Sequence, residues 1–142
     1  MCGIISYVGR QQALPILMEG LKRMEYRGYD SAGFAVIDKG RTVSVRSVGK
    51  VARLEEKKVG VKADATFGIA HTRWATHGKP SEQNCHPQTD CTGKISVVHN
   101  GIIENYVEIR NELIQKGHKF HSETDTEVIA HLVEEHFEGD LE

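Results

Sequence analysis

Apolar positions recur at helical spacing in three stretches of the chain and follow strand-like patterns in five others. The run Ile4 to Val8 is apolar and β-branched, as a buried strand requires. Residues 11–25 place Leu14, Leu17, Met18, Leu21 and Met24 on one face at the 3.6-residue period, which predicts a helix. Pro15 fits only near the start of that helix, and Gly28 follows its last periodic residue and can end it. AGFAVID (32–38) and TVSVRSV (42–48), joined through Lys39-Gly40, read as a hairpin. TFGIAH sets Phe67, Ile69 and His71 against Gly68, Ala70 and Thr72. KISVVHN sets Ile95, Val97 and His99 against Ser96, Val98 and Asn100. Both are expected to be strands that deliver polar side chains at their C-terminal ends. A helix is predicted from Glu104 to Lys116, stopped by Gly117. Another is predicted from Thr126 to Phe137, with Val128, Ile129, Leu132, Val133 and Phe137 inward and a capping box, Thr124-Asp125-Thr126-Glu127, at its start.

This order predicts helices layered on a sheet, not a doubly wound nucleotide fold. A chain of 142 residues suits a single domain covering 1–142. A sheet of these strands is expected to leave an apolar face uncovered, so the chain is expected to be part of a longer protein. With 39% hydrophobic and 27% charged residues the composition is that of a globular protein. A net charge of −2 provides no electrostatic footprint for nucleic acid or an anionic membrane, so neither is expected as a partner. No run is long and apolar enough to span a bilayer, and no secretory signal opens the chain. Three scattered cysteines, Cys2, Cys85 and Cys91, argue against a disulfide framework and for the cytoplasm.

Four stretches can carry chemistry. Cys2 follows the initiator Met1. If Met1 is removed, one residue holds both a thiol and a free α-amine whose pKa of about 7.7–8.0 suits a general base. That is the logic of N-terminal nucleophiles; a small residue buried at a strand start also accounts for Cys2. HTRWATHGKPSE (71–82) brings Arg73, Trp74, Thr76 and His77 to a strand end, where Arg73 can clamp a carboxylate. A polar surface loop explains the same residues. HNGIIENY (99–106) sets the Asn100 amide beside the Gly101 N–H, a donor pair for an oxyanion or an ordinary Asn-Gly turn. In SETDTE (122–127) Asp125 sits in the first turn of a helix, where the dipole stabilises a carboxylate and where it can also grip an ammonium. Eight histidines prompt a search for metal ligands. Cys85-His86 with Cys91, and His118 with His121, lack zinc spacing, and no C-x-x-C is present, so no metal is expected. No phosphate-binding glycine loop occurs.

MCGIISYVG, EYRGYDSAG, HTRWATHGKPSE, HNGIIENY and SETDTEVIAHL stand here in a fixed order. Together they resemble the N-terminal glutaminase domain of the glutamine–fructose-6-phosphate amidotransferases, over nearly the whole chain. The resemblance implies an α+β N-terminal-nucleophile hydrolase fold, an αββα four-layer sandwich, truncated in this chain. It implies L-glutamine as substrate and no cofactor. It also implies Cys2 as nucleophile with its own α-amine as base, and Asn100 and Gly101 as oxyanion hole. Arg73, helped by Thr76 and His77, would hold the glutamine α-carboxylate, and Asp125 the α-ammonium. Arg27 would shape the surroundings of the cysteine, and Trp74 would belong to a loop closing over glutamine. Fructose-6-phosphate would be reached only through isomerase domains absent from these residues, in a full-length enzyme expected to be a homo-oligomer. If Met1 stays, the amine belongs to the wrong residue and the site is expected to be dead. Two alternatives remain: another amidotransferase of this class, such as a purine-pathway one, against which YRGYD and SETDTE speak, and a catalytically silent glutamine-binding module.

Overall fold

The structure is a computed structural model that describes residues 1–61, 64–76 and 78–139. It contains β1 (Gly3–Val8), α1 (Ala13–Met24), β2 (Ser31–Asp38), β3 (Arg41–Val48), α2 (Val51–Lys58), β4 (Phe67–Arg73), β5 (Gln88–Thr89), β6 (Ser96–Val97), α3 (Tyr106–Gln115) and α4 (Glu127–His136). Four strands form an antiparallel sheet in the order β1-β4-β2-β3, and β5-β6 form a second, two-stranded one. Helices α1 and α2 pack on the first sheet, and α4, backed by α3, packs on the second. The described residues therefore stack in the expected order, helix, sheet, sheet, helix, with a second sheet reduced to a ribbon.

The amphipathic stripe of α1 does what its period predicts. Leu14, Leu17, Met18 and Leu21 are buried against Ala32, Phe34, Val36 and Ala70 of the sheet. Each such side chain contributes roughly 1.5–3 kcal/mol by leaving water. Pro15 is the third residue of α1, where its missing N–H has no helical acceptor to lose. A 3-10 turn, Glu25–Arg27, follows, and Gly28 at φ 72° turns the chain towards β2. Lys39 and Gly40 both have positive φ, as a two-residue hairpin requires.

Three expectations are corrected, and one element was not foreseen. KISVVHN is paired only at Ser96 and Val97, because β5, its neighbour, is two residues long and a ladder needs a partner for every residue. The short helix α2 goes unpredicted by periodicity; its Val51 and Leu54 are buried, and its first N–H is capped at 2.7 Å by the hydroxyl of Tyr29, from the segment that leads into the neighbouring β2. Burial and the bond to Glu25 hold that hydroxyl up at about 12. The capping box does not form: the helix starts at Glu127, the Thr124 hydroxyl pairs with the Ser122 hydroxyl, and Asp125 bonds the Ile103 N–H. Finally, Phe137 is exposed, while Glu127 and His131 occupy the inner face of α4. Glu127 is tolerated there because its carboxylate accepts the N–H groups of His121 and Ser122 and the Ser122 hydroxyl. Burial pushes its pKa up, but these bonds and His131 outweigh it and hold it below the usual range. The expected uncovered apolar surface appears at Phe67 and Ile37, which border a cavity of about 210 Å³ between the layers.

One close approach decides how the site loop lies on the sheet. A Cβ on Gly33, mid-strand in β2, would stand 2.2 Å from the His86 carbonyl oxygen and 2.9 Å from that of Val45. Both are backbone atoms and cannot swing aside. Gly33→Ala is therefore expected to cost about 3 kcal/mol or more. Urea unfolding would show this as a lower midpoint at similar slope, and an unchanged midpoint would mean that the segment is not held against the sheet.

Candidate active site

Cys2 stands directly before β1, and Gly3 pairs with Thr72 of β4. This register lays the end of β4 beside the N-terminus. The Trp74 N–H donates to Cys2 Sγ at 3.2 Å, and the thiol faces the Trp74 carbonyl at 3.5 Å. Gly3 has no room for a side chain, since a Cβ would meet Met24 Sδ at 2.5 Å and Thr72 Oγ1 at 3.0 Å. The Met1 ammonium donates to the carbonyls of Arg27 and Gly28. The Arg27 guanidinium lies 2.6 Å from the Met1 sulfur.

Cys2, Arg73, Thr76, Asn100, Gly101 and Asp125 line one cavity of about 260 Å³, with Trp74 at its edge. Of the residues singled out in the sequence, Arg27 is not in its wall, and His77 lies outside the described residues. Arg73 and Asp125, both 4% exposed, place a cation and an anion in the same wall. Arg73 Nη2 donates to the Gly78 carbonyl at 3.2 Å, and one Asp125 oxygen accepts the Ile103 N–H at 2.8 Å. Asp125 thereby fixes the loop that carries Asn100 and Gly101. Asp30 does the same for the other wall, accepting the Ala75 N–H at 2.5 Å, while its own N–H donates to the Arg73 carbonyl.

Sequence reasoning missed the group beneath Asn100. His71 Nε2 lies 2.7 Å from Asn100 Oδ1, and the His86 ring packs on His71 with centroids 4.3 Å apart. The Nε2–H tautomer donates to Oδ1, which turns the Nδ2 donor of Asn100 the other way. Burial lowers the His71 pKa to about 4, and burial with the nearby His71 and Arg73 lowers that of His86 to about 2. The alternation of β4 puts His71 on the same face as Phe67 and Ile69, which is the one signal the sequence carried. His99 and His86, also in the cavity wall, reach it only through the packing of their loops.

These shifts predict acid instability. Unfolded histidines titrate near 6.5, whereas His71 and His86 stay neutral in the fold until about 4 and about 2. Below 6.5 the unfolded state binds protons that the folded state refuses, so stability falls as pH drops. The slope is about 1.4 kcal/mol per pH unit for each histidine, within its own window. Denaturant unfolding between pH 7 and 4 would check this; a flat profile would mean that the pair is hydrated.

Residues 56–140 match the family described as "Glutamine amidotransferase domain". The chain belongs to this family. A glutamine–fructose-6-phosphate aminotransferase (isomerizing) of Aquifex aeolicus is 56% identical to this amidotransferase domain over 141 residues, 99% of the chain. The Thermococcus kodakarensis enzyme of the same name is 56% identical over 140 residues. The chain spans about a quarter of the length of these relatives, 24% and 23%. Among solved structures, glutamine phosphoribosylpyrophosphate amidotransferase from B. subtilis superposes with a TM-score of 0.78. An allosteric regulatory enzyme of purine biosynthesis does so at 0.80. Each is 24% identical, matched over 100% of this chain and 30% of theirs. The fold is shared with these two enzymes, which bears out the α+β reading.

Proposed function

We propose that this domain hydrolyses the side-chain amide of L-glutamine to glutamate and ammonia. The observation that carries the reading is a single cavity holding a thiol, an oxyanion-type donor pair, a buried cation and a buried anion. Glutamine is an amide bearing one carboxylate and one ammonium, and each group finds its complement there. Arg73, with Thr76 and His77, takes the carboxylate, and Asp125 takes the ammonium with the oxygen not used by Ile103. The Cys2 thiol attacks the amide carbon, and the Asn100 Nδ2–H and Gly101 N–H hold the developing negative oxygen. The proton released by the thiol passes to the leaving nitrogen through the α-amine, ammonia departs, and water cleaves the glutamyl thioester. Trp74, which borders the cavity and is more than half exposed, would cover bound glutamine.

The base exists only after Met1 is removed, because with Met1 present the amine is one residue away, bonded to Gly28. In the longer protein we place the ammonia acceptor as fructose-6-phosphate, bound by further domains. Identity of 56% to the aminotransferases over 99% of the chain supports this over the purine branch, which shares fold at 24%. Three free cysteines support a cytoplasmic setting, and among the described residues no helix is long and apolar enough to cross a membrane.

The test is the intact mass before and after incubation with a diazoketone analogue of glutamine, alongside glutamate release. The expected result is loss of Met1 and one adduct that is absent in Cys2→Ala. Met1 lost with neither adduct nor turnover would overturn the proposal.

A further inference from the structure

Further along α4 from the residues that line the glutamine cavity, four side chains from three segments converge. Cys91 comes from the turn after β5, His118 from the loop between α3 and α4, and His131 and Glu134 from one face of α4. One ligand-type atom of each lies within 4.8 Å of all the others. We infer that Cys91 Sγ, His118 Nδ1, His131 Nδ1 and Glu134 Oε2 form a tetrahedral binding site for one zinc ion, which clips α4 to the rest of the fold.

The distances between the four atoms carry the inference. Zinc bonds of about 2.3 Å to sulfur and about 2.0–2.2 Å to nitrogen or oxygen, at tetrahedral angles, separate sulfur from nitrogen by about 3.5 Å and nitrogen from oxygen by about 3.3 Å. Cys91 Sγ is 3.6 Å from His131 Nδ1 and 3.8 Å from His118 Nδ1. Glu134 Oε2 is 3.0 Å from His118 Nδ1 and 3.1 Å from His131 Nδ1. Four of the six separations thus stand close to those that zinc requires, and the other two, His118 to His131 and Cys91 to Glu134, lie within 4.8 Å.

The surroundings of the two rings are an independent observation. His118 Nε2 lies 2.9 Å from a Glu135 oxygen, and His131 Nε2 lies 3.5 Å from a Glu127 oxygen. A metal-bound histidine characteristically directs its other ring nitrogen at a carboxylate, which fixes the tautomer and leaves the first nitrogen's lone pair for the metal. His118 has that partner here, whereas His131 Nε2, buried and without a hydrogen bond, faces the Glu127 carboxylate across 3.5 Å; both rings turn Nδ1 inwards to the same centre. The Lys119 N–H points at Cys91 Sγ from 3.3 Å, as a donor to a thiolate does. A thiolate and a carboxylate neutralise the dication, and binding releases the thiol proton to solvent. One sulfur, two imidazoles and one carboxylate favour zinc over magnesium or calcium.

Sequence spacing could not expose this set. His131 and Glu134 are three residues apart on a helix, but Cys91 and His118 come from other elements, and no two ligands make a C-x-x-C or H-x-x-x-H pair. Four protein ligands leave no open position, so the role is structural. The N-terminal end of the same helix is preceded by Asp125 and Thr126 of the glutamine cavity, so the ion would hold that wall in place.

Cobalt(II) titration of the metal-free chain tests the proposal, since cobalt reports tetrahedral thiolate ligation optically. The expected result is one equivalent bound, with a thiolate-to-cobalt charge-transfer band and tetrahedral d–d bands that zinc bleaches. Cys91→Ser should lose the charge-transfer band, and Cys2→Ser should keep it. Zinc should raise the thermal midpoint of the wild-type chain by several degrees and leave that of Cys91→Ser unmoved. His118→Asn should keep the thiolate band with weaker binding, which guards against misfolding of Cys91→Ser. A wild-type chain without a thiolate band overturns the inference. So does a band that survives Cys91→Ser and disappears in Cys2→Ser.

Discussion

Cys2→Ala is expected to reduce glutamine hydrolysis on the order of 10⁴-fold or more, to the background of the assay. Among the described residues lining the cavity the thiol is the one sulfur nucleophile, and the Trp74 N–H already addresses its sulfur at 3.2 Å. Folding should be nearly untouched, because the side chain is small and only half-buried. The thermal midpoint should stay within a few degrees while kcat vanishes. An unprocessable extension placed before Cys2 should be as inactive as the alanine variant, with the thiol intact, because it withholds the α-amine. Glutamate released at the wild-type rate by Cys2→Ala would mean that another group is the nucleophile.

Asn100→Ala should lower kcat by about 10²–10³-fold, the cost of one oxyanion donor, with little change in KM. The split between the two constants is the informative part. A donor that meets the oxygen only once it carries negative charge acts on kcat. The structure supports such a role because the Oδ1 end is occupied by His71 at 2.7 Å. Gly101, beside it, lets backbone approach the cavity. A rise in KM at constant kcat would instead place Asn100 in ground-state binding.

Both predictions rest on residues visible before any coordinates, yet the reasons for their power differ. Cys2 was legible because its chemistry depends on sequence position: no fold is needed to know that removing one residue exposes an amine. Arg73 and Asp125 were legible as charges at element ends, but 52 residues of chain separate their numbers. Their meeting in one wall depends on β4 ending where the chain enters α4. His71 and His86 were not legible as a pair, since a histidine on a strand and one in a loop carry no mark of their packing together. The same holds for Cys91, His118, His131 and Glu134, whose spacing matches no zinc signature.

Local pattern sufficed wherever a residue's environment is set by its neighbours in the chain. The stripe on α1, the Lys39-Gly40 turn and the stop at Gly117 are of this kind. At Gly117 the His118 and Gly117 N–H groups close back on Leu113 and Ile114. Helical and strand periods depend on backbone geometry that every chain shares, so these features could be read directly. The pairing of KISVVHN, the Tyr29 cap on α2 and the rejected capping box could not. Each depends on a hydrogen-bond partner from a distant segment, and Asp125 chose the Ile103 N–H over its own helix. Side chains with two available partners are decided by packing, because only the assembled fold determines which of them is within reach.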